Sequence, residues 1–126
     1  KAFKTLRTCF SKAAIERNPV SLERAGSKPL DEVHAWLGQL ESVSIYDGNR
    51  LAQPDEVANY GRGDGLEKAF LLANVLRRRD PDRPLGLIAD RDKVIVRGKQ
   101  EFAFQSAKTL SAQVDIAEDG TIQVKR

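Results

Sequence analysis

The chain has 126 residues, of which 40% are apolar and 31% charged, with a net charge of +3. That composition suits one soluble domain (residues 1–126) with room for a single core, and no apolar run is long enough to span a membrane. Aromatic residues are 6% of the chain, and the basic residues are scattered apart from Arg77, Arg78 and Arg79, which argues against a base-stacking nucleic-acid surface.

Cys9 is the only cysteine. It can form no internal disulfide, and nothing points to an oxidising compartment. No signal-peptide pattern opens the chain. A cytoplasmic location is the expectation. The chain opens on Lys1 and contains no methionine, which leaves a trimmed or excised domain open.

In chain order, Phe3, Leu6, Phe10, Ala13 and Ala14 recur at three- and four-residue steps, predicting a helix over 2–17 that ends near Asn18-Pro19. Cys9 lies near its apolar side and reads as a small buried hydrophobe. Residues 20–28, with Gly26 and Ser27, read as a linker. Pro29 suits the start of a second helix, whose apolar stripe is Leu30, Val33, Trp36, Leu37 and Leu40. His34 is the only histidine and sits one residue off that stripe. It reads as a boundary residue, because general-base work needs a nucleophile in reach and none is suggested.

Residues 42–46 read as a short extended piece turned by Asp47-Gly48-Asn49. Gln53-Pro54-Asp55-Glu56-Val57 then opens a short helix, with proline in its first turn and two acids at its positive end, and Gly61 closes it.

The most strongly determined element follows. Asp64 is an N-cap, and Glu67 stands three residues on, as in a capping box. Leu66, Ala69, Phe70, Ala73 and Leu76 form an apolar face. Arg77, Arg78 and Arg79 crowd the last turn, where positive charge suits the helix dipole, and Pro81 forbids continuation.

After Pro84 the period changes to two. Strands are predicted over 85–89, 94–97, 101–106 and 113–116, with 121–125 as a fifth. The turn signals are Asp90-Arg91-Asp92, Arg97-Gly98-Lys99 and Glu118-Asp119-Gly120. Short connections imply antiparallel neighbours. The fold class is therefore α+β: helices over about 1–80 packed on one face of a small antiparallel sheet over about 84–126.

The run Gly63-Asp64-Gly65-Leu66-Glu67-Lys68-Ala69-Phe70-Leu71-Leu72-Ala73, with its lead-in Gln53-Pro54-Asp55-Glu56-Val57 and Gly61, resembles the transglutaminase-like superfamily, which has a papain-like core. The match covers about residues 50–79, and the element order extends it to about residue 110. The family's hallmark is a Gly-Asp-Cys turn opening such a helix. The resemblance implies a cysteine nucleophile at the helix start, a histidine base on a following strand and an aspartate or asparagine that orients it. Here the cysteine position is Gly65, the histidine position falls at Asp92-Lys93, and the orienting position falls near Ser106. No histidine follows His34. The resemblance thus implies a domain without its triad.

Three readings follow. In the first, the domain is catalytically inactive and works as a binding or assembly module. Arg62, Gly63, Asp64 and Gly65 are its candidate site for an unidentified protein or a small anionic ligand, since helix-start amides favour anions. In the second, Gly65 replaces a native cysteine, but such a substitution would have left the histidine in place. In the third, an enzyme of unknown reaction uses Asp64, Glu67 or Lys68, although Asp64 reads better as the cap, Glu67 as its partner and Lys68 as solvated. Arg62-Gly63-Asp64 as an integrin tripeptide and Gly61-x-Gly63-x-Gly65 as a phosphate loop both fail on spacing or context. No metal-ligand spacing and no cofactor motif is present, so none is expected.

Overall fold

A computed structural model describes residues 19–47, 50–80, 82–117 and 122–125. The predicted helix over 2–17, Cys9, the Gly48-Asn49 part of the first turn, Pro81 and the turn at 118–120 lie outside the described residues. The fold is α+β. Among the described residues four helices, α1 (Pro19–Ala25), α2 (Leu30–Gln39), α3 (Pro54–Tyr60) and α4 (Gly65–Arg79), precede three strands, β1 (Leu85–Arg97), β2 (Glu101–Ile116) and β3 (Ile122–Lys125). The strands form an antiparallel sheet in the order β1-β2-β3.

The central helix forms as its caps dictate. Asp64 is extended (φ −63°, ψ 155°) and its side chain accepts from the Leu66 amide, while Glu67 reaches back to the Asp64 amide. Along α4 every residue from Gly65 to Val75 is buried. Leu66, Ala69, Phe70, Leu71, Leu72 and Ala73 are at most 1% exposed, so the helix is enclosed all round over most of its length. It packs on both β1 and β2, with α1, α2 and α3 also against it. Leu87, Val94, Val96, Phe102, Phe104 and Val114 form the sheet side of the same core.

Residues 20–28 are not a linker: Pro19–Ala25 is helical. Its first amides are met from a distance, because the Asp55 carboxylate of α3 accepts from Val20 N (3.1 Å) and Ser21 N (2.7 Å). Residues 42–46 form no strand. The loop's backbone instead runs beside the α3–α4 turn, with a parallel bridge between Glu41 and Arg62 and a 2.9 Å bond from Gly63 N to Glu41 O.

The sheet differs from the five predicted strands. Asp90-Arg91-Asp92 is not a turn: β1 continues through it with Arg91 at φ 58°, and β2 likewise runs unbroken from Glu101 to Ile116. The register shows why two strands read as four. Arg91 pairs with Leu110, but Lys93 pairs with Gln105. Asp92 alone therefore stands opposite residues 106–109, a large bulge in β2. The hairpin at Arg97-Gly98-Lys99 and the pairing of 113–116 with β3 are as predicted.

Candidate functional site

The bulge in β2 sits on the start of α4. Asp64 is 3% exposed. Its carboxylate accepts from Leu66 N (2.8 Å), Ser106 Oγ (2.6 Å) and Ala107 N (2.6 Å), and also from the backbone amide of Glu67. Four donors fill the acceptor capacity of one carboxylate. A single residue thus caps the helix and fastens the bulged strand to it.

Glu67 is fully buried and holds the opposite side of the turn. Its Oε1 accepts from Asp64 N (2.8 Å), and its Oε2 accepts from Ser44 Oγ (2.7 Å) and Ala52 N (2.6 Å). Lys68 is 2% exposed and not solvated. Its ammonium donates to Leu40 O (2.7 Å) and Ser42 Oγ (3.0 Å), and burial lowers its pKa from the ordinary lysine value. Lys108, on the inward side of the bulge, donates to Tyr46 O and Arg50 O, both at 2.8 Å. Tyr46 donates its hydroxyl to Glu56 and carries the Arg50 guanidinium 3.9 Å above its ring. The hydrogen bond to Glu56 raises the Tyr46 pKa. These contacts tie residues 40–47 and 50–52 to the start of α4, to α3 and to the bulge of β2.

Gly65 makes the closest approach. A Cβ placed there would lie 1.9 Å from the Gln105 carbonyl oxygen and 2.6 Å from its carbon. Only glycine lets the helix start touch the β2 backbone so closely. At Gly63 an added Cβ would meet both Val57 methyls at 3.1 Å. Of the four candidate residues, Gly63, Asp64 and Gly65 are buried and only Arg62 is partly exposed. Arg62 Nη2 donates to Ser44 O (3.0 Å), while its Nε is buried without a hydrogen-bond partner among the described residues.

The remaining positions cluster nearby. Lys93 is the ladder partner of Gln105, and Ser106 follows it. Asp92 and Lys93 are exposed. His34 approaches β2 two residues from Gln105, but its Nε2 lies 3.2 Å from Ala103 O and its ring packs at 5.1 Å from both Phe102 and Phe104. It braces α2 against the sheet. Among the described residues no group of His, Cys, Asp and Glu side chains is arranged to hold a metal ion, and no helix is long and apolar enough to cross a membrane.

Lys108 was legible in principle. Alternation from Phe102 and Phe104 carries the inward face on to Ser106 and Lys108. The anchoring of Glu67 by Ser44 and Ala52 had no local sequence signal.

The site therefore defines an α+β protein whose central helix is locked at its start onto a bulged strand. No family model, curated protein or solved structure matches the chain.

Proposed function

We propose that this chain is a transglutaminase-like domain, papain-like in core, that performs no cysteine–histidine catalysis and works as a binding or assembly module. The observation that carries this reading is the 1.9 Å approach at Gly65. A cysteine needs a Cβ, and the Gln105 backbone occupies its place. The neighbourhood supports the resemblance as well. Residue 65 touches Gln105, Lys93 pairs with Gln105, and Ser106 hydrogen-bonds Asp64, so the positions that the resemblance would assign to a triad lie near one another, and none carries a thiol or an imidazole. The same overlap argues against Gly65 as a substituted native cysteine.

The other enzymatic reading finds no support in the geometry. The Asp64 carboxylate is saturated, Glu67 accepts three bonds within the fold, and Lys68 donates to a carbonyl and a hydroxyl of the 40–53 loop.

The test is Gly65→Cys, together with turnover assays of the unaltered chain on glutamine-containing peptides and amines. The substitution is expected to lower stability by about 3 kcal/mol or more through overpacking, and the unaltered chain should turn over nothing. A Gly65→Cys protein of unchanged melting temperature, with a thiol that alkylates readily below neutral pH, would overturn the reading. So would a turnover by the unaltered chain that Asp64→Asn abolishes while the fold persists.

A further inference from the structure

The opposite end of α4 is built differently. A cleft of about 240 Å³ opens between the last turn of α4, the start of α2, the start of β1 and the β1–β2 hairpin. Its apolar lining includes Leu30, Leu76 and Leu85, and four cations, Arg77, Arg79, Arg83 and Lys99, stand around it. Asp80 is the one carboxylate among the lining residues.

Charge bookkeeping separates a helix cap from a ligand site. The end of a helix carries roughly half a negative charge. Asp80 adds one more and bonds Arg83 at 2.8 Å. Among the described lining residues, Arg79, Arg83 and Lys99 exceed both together. The Arg83–Asp80 pair is about half exposed on each side (48% and 50%), and such surface pairs are weak and readily exchanged. Among the described residues, Arg79 donates only to a neutral carbonyl, Gly26 O, at 3.1 Å. A cleft with an excess of positive charge over an apolar floor concentrates anions, and guanidinium forks fit phosphate oxygens.

We propose that this cleft binds a small organic monophosphate, with the phosphate among Arg79, Arg83 and Lys99 and the apolar body on Leu30, Leu76 and Leu85. The volume lies just below the usual range for drug-sized ligands, which limits the occupant to a small free molecule. A phosphate monoester is close to a dianion at neutral pH, and it answers the excess charge better than a carboxylate. This inference rests on the reading of the domain as a binding module and supplies its ligand class.

The test is calorimetric titration of the full chain with phenyl phosphate, inorganic phosphate, benzoate and phenol at low ionic strength. Phenyl phosphate should bind about tenfold or more tighter than each of the others, since inorganic phosphate lacks the apolar body, phenol lacks the anion and benzoate carries a single charge. Arg83→Gln should weaken it about tenfold, as expected for a lost charge-assisted bond. Asp80→Asn should tighten it by removing the competing carboxylate. Arg78→Gln should leave it unchanged, because Arg78 is exposed on the same turn and does not line the cleft. Equal losses in Arg78→Gln and Arg83→Gln, or no binding of phenyl phosphate, would overturn the cleft assignment and leave the non-catalytic reading standing. Release of phenol from bound phenyl phosphate would do the reverse.

Discussion

The two ends of α4 are about 22 Å apart by helix geometry, and they treat polar groups in opposite ways. At the start, every carboxylate oxygen of Asp64 and Glu67 is satisfied by the fold, and Gly65 lies against the strand. At the end, Arg78 and Arg79 are exposed, and Arg79, Arg83 and Lys99 line a cleft under local positive charge. A helix start is the expected place for an anion because its amides are unpaired. Here the side chains of Asp64 and Glu67 already meet that need. The lesson is that an anion-favouring motif and an anion site are different things, and the carboxylates already present decide between them.

Substitutions can break this contrast. The largest effect is expected from Asp64→Ala. It removes the cap, worth about 0.5–2 kcal/mol, and leaves Ser106 Oγ and Ala107 N without their partner, at about 1–3 kcal/mol for each buried group. A loss of about 3–5 kcal/mol in denaturant unfolding is the expected outcome. A loss under about 1 kcal/mol would mean that the strand is held elsewhere. Phe70→Ala, at a fully buried ring, should cost a comparable 3–5 kcal/mol or about that, which calibrates how much of the helix is held by packing rather than by its cap.

Asn74 sharpens the comparison from the middle of the helix. It is fully buried, and neither its Oδ1 nor its Nδ2 has a hydrogen-bond partner among the described residues. Asn74→Leu keeps the branching and the number of side-chain heavy atoms and removes an unsatisfied amide, so it should raise stability by about 1–3 kcal/mol. A destabilised Asn74→Leu protein would show that the amide has a partner. At the far end, Arg83→Gln should change stability by less than about 0.5 kcal/mol, as for a surface pair.

The smallest effect is a pH slope. Burial lowers the Lys68 pKa in the folded chain, so between that lowered value and the ordinary one the unfolded chain binds more protons. Stability then rises with pH across that window. Lys68→Met should remove the rise. A difference between the two proteins that stays flat as pH approaches the ordinary lysine pKa would contradict the direction.

Much of this was legible in the sequence, and the legible parts share a cause. Asp64, Glu67, Gly61 and Pro54 act on their immediate neighbours, so α3 and α4 follow from short-range chemistry. The unreadable parts depend on distant partners. α1 looked like a linker because its cap, Asp55, lies 34 residues from Ser21. Asp90-Arg91-Asp92 carries the composition of a turn, but pairing with β2 overrides it and makes a bulge. Lys68 looked solvated because nothing local announces Leu40 O and Ser42 Oγ as its partners. Glycine at a helix start permits a close approach, but nothing local announces that at Gly65 the approach is made by the Gln105 backbone.

The most direct test observes both ends of α4 at once: the backbone amide resonances of the full chain, followed by nuclear magnetic resonance during titration with phenyl phosphate. Shifts confined to residues 76–80, 83, 85 and 98–99, with none at 62–68, are the predicted result. Shifts centred on the amides of Gly63 to Glu67 would show that the start of α4 takes the anion, and would contradict the account.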